Sequence, residues 1–278
     1  MAADGRHLPM AHPKQITHKR VFSPLSSTVI AFSIALPSAL MLLPGRSVWA
    51  VWPAVLLLSA AIWMRSLAAV HVSLFCFLFT CFAAFLPILR FWPWPLLAPL
   101  VVFHLVVLSV PRLRKSCLWL KPGRITESVL ILMLVVATGS VLALIGWYEA
   151  MEPDLSIHLR RFPDIPPHLI PLAGIGFALL NAVMEEFTFR GIFMHGLDCA
   201  FDNEALSIVL QGLSFGLFHY VGGFPNAGIG TLMAFIFGIL LGWIRNRSNG
   251  LMAPVVTHVI ADSAIFWILA MAFMHSGA

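Results

Sequence analysis

The sequence predicts an all-α, polytopic membrane helix bundle with eight or nine transmembrane helices. Apolar residues make up 60% of the 278-residue chain, and mean hydropathy is +0.92. Charged residues are only 10%, against about 25% in a soluble domain. The charges are also bunched: from Val21 to Pro111 the chain carries only Arg46, Arg65 and Arg90, each between apolar blocks. A soluble core cannot hide this much apolar surface, and an apolar, weakly charged chain does not stay disordered. Helices of roughly 20 apolar residues each fit the length.

The apolar blocks place helices near 25–43, 47–64, 67–89, 95–110, 127–148, 170–198, 205–222, 228–244 and 251–273. The first block runs 19 residues without a charge, longer than a signal-peptide core, and is read as a retained helix. The basic arm before it, residues 1–24 with Lys14, Lys19 and Arg20, would stay in the cytoplasm. Pro37, Pro53, Pro87 and Pro99 fall inside or near helices, which membrane bundles tolerate when neighbours satisfy the freed backbone groups. The segment 149–167 carries Pro153, Pro163, Pro166 and Pro167 with mixed charges. It is expected as an extracytoplasmic loop between a five-helix region, 25–148, and a C-terminal region, 168–275.

Orientation follows from Lys and Arg. With the N-terminus inside, the inner segments hold twelve: Arg6, Lys14, Lys19, Arg20, Arg65, Arg112, Arg114, Lys115, Lys121, Arg124, Arg245 and Arg247. The outer segments hold four, Arg46, Arg90, Arg160 and Arg161. The expected location is the inner (plasma) membrane with a cytoplasmic N-terminus. The net charge of +5 is this loop bias and needs no nucleic-acid partner. Membrane lipid is the expected surrounding, and the basic stretch 112–124 suits anionic lipid. Cys76, Cys81, Cys117 and Cys199 form no C-x-x-C pair and read as structural thiols. His71 and His104, each alone in an apolar helix, read as helix–helix hydrogen bonds, and the nine tryptophans suit interfaces.

Three constellations lie within apolar helices: Glu185, Glu186 and Arg190 in NAVMEEFTFRG; Phe215 and His219 in SFGLFHY; His258 and Asp262 in THVIAD. Ionisable groups in a bilayer cost roughly 2.5–3.5 kcal/mol each even on lenient scales, so they normally face the protein interior and serve a function. Glu186 and Arg190 stand at i and i+4 with the acid first, the favourable order for an ion pair. Glu185 is the carboxylate left over, a candidate general base, and Asn181 one turn earlier is expected to orient it. Gln211, Phe215 and His219 form one stripe. His258 and Asp262 stand at i and i+4, so the carboxylate is expected to hold the imidazole in one tautomer. Counted from the polar turn near 199–204, Glu185 and His219 both sit roughly 21 Å deep, and His258 and Asp262 lie about 12–18 Å into their helix. One buried polar site open toward the cytoplasm is expected.

EExxxR (Glu185, Glu186, Arg190), FxxxH (Phe215, His219) and HxxxD (His258, Asp262) resemble the three motifs of the CAAX-protease and bacteriocin-processing family (CPBP, also called Abi) of intramembrane proteases. That family includes the type II CAAX prenyl endopeptidases. The resemblance covers about 168–275, a little over a third of the chain. Asp262 stands where the prenyl proteases typically carry Asn, which leaves the substrate class open. The resemblance implies a protease that hydrolyses a peptide bond of a membrane-associated protein or peptide. Glu185 and His219 would activate the attacking water, while His258 and Asp262 would stabilise an oxyanion or hold a metal. Glu186 and Arg190 would fix the helix and bind a substrate carboxylate. Zinc on Glu185, His219 and His258 is one version, with an open water position. No H-E-x-x-H preforms such a set, and the metal-free glutamate mechanism is preferred. Two other classes stay open. A proton-coupled transporter uses buried Glu, His and Asp chains but is favoured by repeated broken helices, and no such repeat is found. A non-catalytic scaffold or immunity protein of the same fold would lack a motif residue, and none is missing.

Overall fold

The structure, a computed structural model, describes residues 23–42, 48–86, 88, 91–160, 162 and 165–275. All but two residues of the expected N-terminal arm, and Arg46, Arg90 and Arg161 of the expected outer loops, lie outside the described residues. Twelve α-helices follow one another: α1 (Pro24–Leu40), α2 (Val51–Trp63), α3 (Leu67–Phe85), α4 (Trp94–Ser109), α5 (Pro111–Ser116), α6 (Glu127–Met151), α7 (Ser156–Leu159), α8 (Ile170–Glu186), α9 (Met194–Ala200), α10 (Glu204–Gly222), α11 (Ala227–Ser248) and α12 (Met252–His275). No strand occurs among the described residues.

Among those residues, six helical stretches are long and apolar enough to cross a membrane: 67–85, 127–151, 167–200, 204–221, 227–248 and 252–275. Three more apolar helices, 24–40, 48–63 and 94–109, are shorter than that measure. All nine lie at the positions read from the apolar blocks, and six of them, among the described residues, have the length and hydropathy of a full span. At about 1.5 Å per residue, a 16-residue helix is only roughly 24 Å long, less than the hydrocarbon core.

Polar residues at the block edges start the helices. Ser23, Ser66, Thr126 and Asn203 accept hydrogen bonds from the backbone N–H of Ser26, Ala69, Val129 and Leu206, satisfying donors left open in a first turn. α6 and α11 end on Glu152 and Asn249 in the left-handed conformation. The 149–167 connection is less irregular than expected, because α6 runs on to Met151 and α7 forms one short turn.

The predicted helix 170–198 is one rod with an interruption. Phe187–Phe193 winds as a π-helix between α8 and α9. Such wide turns cluster at functional sites because they rotate the following side chains relative to the preceding ones. Here the rotation falls between Glu185 and Arg190.

Small residues let the helices close up without any hydrophobic drive from lipid. Serines tie α1 to α3 (Ser26 to Ser66, 2.7 Å; Ser33 to Ser73, 2.8 Å) and to α10 (Ser38 to Ser214, 2.7 Å). α10 and α11 approach through two GxxxG pairs, Gly212 with Gly216 and Gly238 with Gly242. A Cβ at Gly216 would stand 2.7 Å from the Thr231 carbonyl oxygen, and one at Gly242 would stand 2.6 Å from the Gln211 amide nitrogen. The main core joins Ile30, Phe75 and Phe103 of α1, α3 and α4 to Phe189, Phe193 and Phe215 of the C-terminal region. α6 packs Val129, Met133 and Val136 against Leu241, Ile244 and Ala253 of α11 and α12.

Candidate active site

α8 delivers Glu185 and Glu186, the π-helical turn delivers Arg190, α10 delivers Phe215 and His219, and α12 delivers His258 and Asp262. The three motifs converge on one point. The hub is Glu186, fully buried. Its Oε1 accepts from Arg190 Nη1 at 2.9 Å and from His258 Nδ1 at 2.7 Å. The expected Glu186–Arg190 pair is therefore present, but it is a triad rather than a pair.

Arg190 is enclosed on every side. Its Nη2 donates to the Gly238 carbonyl at 3.3 Å, and its guanidinium lies 4.5 Å from the centre of the Phe215 ring. With 0% exposure it has no surface left for a substrate carboxylate, so the expected contact to one has no counterpart in this arrangement. The Gly238 carbonyl also accepts from Gln211 Nε2 at 2.8 Å. The close approach of α10 to α11 through glycine is what brings that carbonyl to both side chains.

His258 is held differently from the expectation. A carboxylate oxygen only accepts, so Nδ1 carries the proton it donates to Glu186, and Glu186 rather than Asp262 fixes the tautomer. Nε2 then lies 3.6 Å from Asp262 Oδ1 and 3.5 Å from Glu185 Oε2, both outside hydrogen-bonding distance. The i, i+4 spacing put Asp262 on the right face, but the ring is turned toward α8. Asn181 is also reassigned. Its amide nitrogen donates to Asp262 Oδ2 at 3.2 Å, and its amide oxygen accepts from Trp92 Nε1 at 3.0 Å. It orients Asp262, with no hydrogen bond to Glu185.

Glu185 is the carboxylate of the group that the Glu186 network leaves out. Its side chain is 12% exposed, and Oε2 is buried without a hydrogen-bond partner. His219 donates Nδ1–H to the Phe215 carbonyl at 2.9 Å, which leaves Nε2 unprotonated in the neutral ring. Glu185 and His219 are close enough to interact electrostatically.

Beside His219, His258 and Asp262 lies a cavity of about 450 Å³ between α6, α10, α11 and α12. Leu132, Val136, Met233, Phe237 and Leu240 form much of its apolar wall, and His219, His258 and Asp262 mark its polar end. The wall from α6 was not legible as part of the site. Gly139 lines it, and a Cβ there would meet nothing within 4 Å. The Gly238 carbonyl and Trp92 were also missed. The paired GxxxG spacing could have flagged the first, whereas nothing local marks Trp92 among nine tryptophans.

Among the described residues, no three His, Cys, Asp or Glu side chains are grouped as a metal-binding set. His258 Nδ1 is committed to Glu186. The residues as arranged do not form the Glu185, His219 and His258 set. His71 and His104 have structural partners: His71 Nε2 lies 2.9 Å from Ser116 Oγ, and His104 Nδ1 donates to the Leu100 carbonyl at 2.8 Å. All four cysteines are free thiols.

Compared with known proteins, residues 167–264 match the family model described as type II CAAX prenyl endopeptidase Rce1-like. The match spans all three motifs, and the resemblance drawn from them holds. No curated protein and no solved structure matches the chain.

Proposed function

With residues 167–264 matched to the Rce1-like type II CAAX prenyl endopeptidases, we propose that this multi-pass membrane protein is an intramembrane endopeptidase using a glutamate-activated water. The observation that carries the reading is Glu185 Oε2. It is a buried carboxylate oxygen without a hydrogen-bond partner, 3.5 Å from Nε2 of His258, a residue that lines the apolar cavity.

Glu185 takes a proton from water as the oxygen adds to the substrate carbonyl carbon, and His219 Nε2 holds the same water. The carbonyl oxygen becomes an oxyanion, stabilised by His258 Nε2–H. That imidazole carries a proton on each nitrogen in this step, with Glu186 Oε1 2.7 Å from Nδ1 and Glu185 Oε2 and Asp262 Oδ1 3.5 and 3.6 Å from Nε2 to balance its charge. Collapse breaks the C–N bond, and the Glu185 proton passes to the leaving amine. Arg190 cancels the charge of Glu186, so the base is not forced to share a proton with its neighbour.

The substrate is a membrane-associated peptide or protein whose apolar part fills the cavity, with no metal in the mechanism. The N-terminus faces the cytoplasm of an inner membrane. Cleavage occurs in its cytoplasmic half, since His258 lies six residues, about 9 Å, from the start of α12 beside the basic Arg245–Arg247 turn.

The test is a membrane-fraction cleavage assay on a panel of co-expressed reporters carrying apolar segments, with and without a hydrocarbon-modified cysteine. Each is run with and without chelator. Cleavage by wild type but not by Glu185→Gln is expected, unchanged by chelator. No cleavage of any reporter, or equal cleavage by the variant, overturns the reading. Chelator loss restored by zinc replaces the metal-free version.

A further inference from the structure

We propose that Trp92 and Asn181 form a positioning relay that sets the orientation of Asp262, so that the N-terminal region contributes directly to the candidate site. This rests on the protease reading only for its effect on turnover.

The relay follows from donor and acceptor chemistry. Trp92 lies in the connection between α3 and α4, and Asn181 lies on α8, one turn before Glu185. An indole Nε1–H can only donate. At 3.0 Å from Asn181 Oδ1 it therefore claims the amide oxygen. That leaves the amide NH₂ pointing the other way, and an NH₂ group also only donates. At 3.2 Å it meets Asp262 Oδ2, which must accept. Oδ2 is thereby occupied, and Oδ1 is the oxygen turned to His258 Nε2 at 3.6 Å. Donation runs from indole to amide and from amide to carboxylate, where it ends, leaving Asp262 Oδ1 as the acceptor that faces the imidazole.

Remove the indole N–H and nothing dictates which end of the amide faces Asp262. A flipped amide presents oxygen to a carboxylate, and Asp262 must rotate away. The indole is itself anchored, since its ring packs on Phe177 at 4.9 Å between centroids. Phe177 and Asn181 are one turn apart on α8, so ring packing and hydrogen bond reinforce one placement. This gives a chemical role to a tryptophan that is 49% exposed and would otherwise read as an interfacial anchor.

Trp92→Phe keeps an aromatic ring against Phe177 and removes the N–H together with the five-membered part of the indole. Asn181→Leu keeps the volume and removes the relay. Purified full-length protein labelled with 15N at tryptophan gives one indole signal per tryptophan, and Trp92 is the one lost in Trp92→Phe. In Asn181→Leu that signal should move upfield, reporting a lost hydrogen bond, while the other indoles stay put. A Trp92 signal unchanged in Asn181→Leu overturns the relay whether or not the protein is a protease.

On the reporter cleaved fastest by wild type, each single variant should lower kcat about five- to tenfold, the scale of one buried hydrogen bond, with KM within about twofold. The double variant should be no slower than Asn181→Leu, because Trp92 acts through Asn181. Multiplying losses in the double variant, or losses that track the amount of folded protein, mean separate packing roles and sink the proposal. If wild type cleaves no reporter, the protease reading falls, and the indole signal still decides the relay.

Discussion

Glu186 and His258, 72 residues apart in the chain, meet through a hydrogen bond of 2.7 Å. The same carboxylate oxygen holds Arg190, so the first and third motifs share one atom. Glu186 is thus both the counter-ion that allows Arg190 to be buried and the acceptor that fixes the His258 tautomer. Glu185, next to it in sequence, stays uncommitted at Oε2. Two adjacent glutamates divide into one that is hydrogen-bonded to Arg190 and His258 and one left with a partnerless oxygen, because helix geometry sends them in different directions.

Glu185→Gln should cut turnover by about a hundredfold or more, the scale of losing a general base. Gln keeps the shape and cannot accept the proton. The amount of folded protein in the membrane should match wild type. Near-normal turnover would exclude Glu185 as the base.

Arg190→Ala leaves Glu186 buried without its counter-ion and should destabilise the fold by about 3–5 kcal/mol. Thermal unfolding in detergent measures this. Glu186→Gln with Arg190→Gln should recover much of the stability. Turnover should nevertheless remain low, since Gln holds His258 without supporting its charge. A double variant as unstable as Arg190→Ala would refute the ion-pair account.

Gly139→Phe should fill the cavity without disturbing packing, because the side chain enters open space. Protein level and unfolding temperature should hold. KM for the reporter should rise about tenfold or more, as expected when an apolar pocket worth roughly 1.5–3 kcal/mol per buried side chain is occupied. An unchanged KM would place the substrate elsewhere.

Cysteines introduced at Arg114 and Arg247 should react with an impermeant maleimide only from the cytoplasmic side, and one at Glu152 only from outside. Native Cys117 interferes little. Burial pushes its thiol up to about 11, so at neutral pH it is almost wholly protonated and only the thiolate reacts. Its alkylation rate should rise about tenfold per pH unit from 7 toward 11. Labelling of Arg114→Cys from outside would invert the topology, and a flat pH profile for Cys117 would contradict its burial.

The sequence by itself determined the class of protein and the chemistry on offer. Sixty per cent apolar residues with 10% charge forces helices into a bilayer, where each backbone group is satisfied within its own segment. That is a property of the chain alone, so helix positions could be read to within a few residues. The same cost of burying charge made Glu185, Glu186, Arg190, His219, His258 and Asp262 stand out, and the i, i+4 spacing foretold the Glu186–Arg190 bond. Tertiary structure decided who partners whom. The Glu186–His258 bond, the Asn181 amide facing Asp262, the Trp92 indole and the α6 wall all span different helices, and no periodicity records which helix lies beside which. Glu186 turns the ring of His258 toward α8, and the close glycine contact of α10 with α11 leaves the Gly238 carbonyl within reach of Arg190 and Gln211. Buried polar groups in a low-dielectric interior take whichever partner packing brings within about 3 Å, and packing is a property of the assembled bundle.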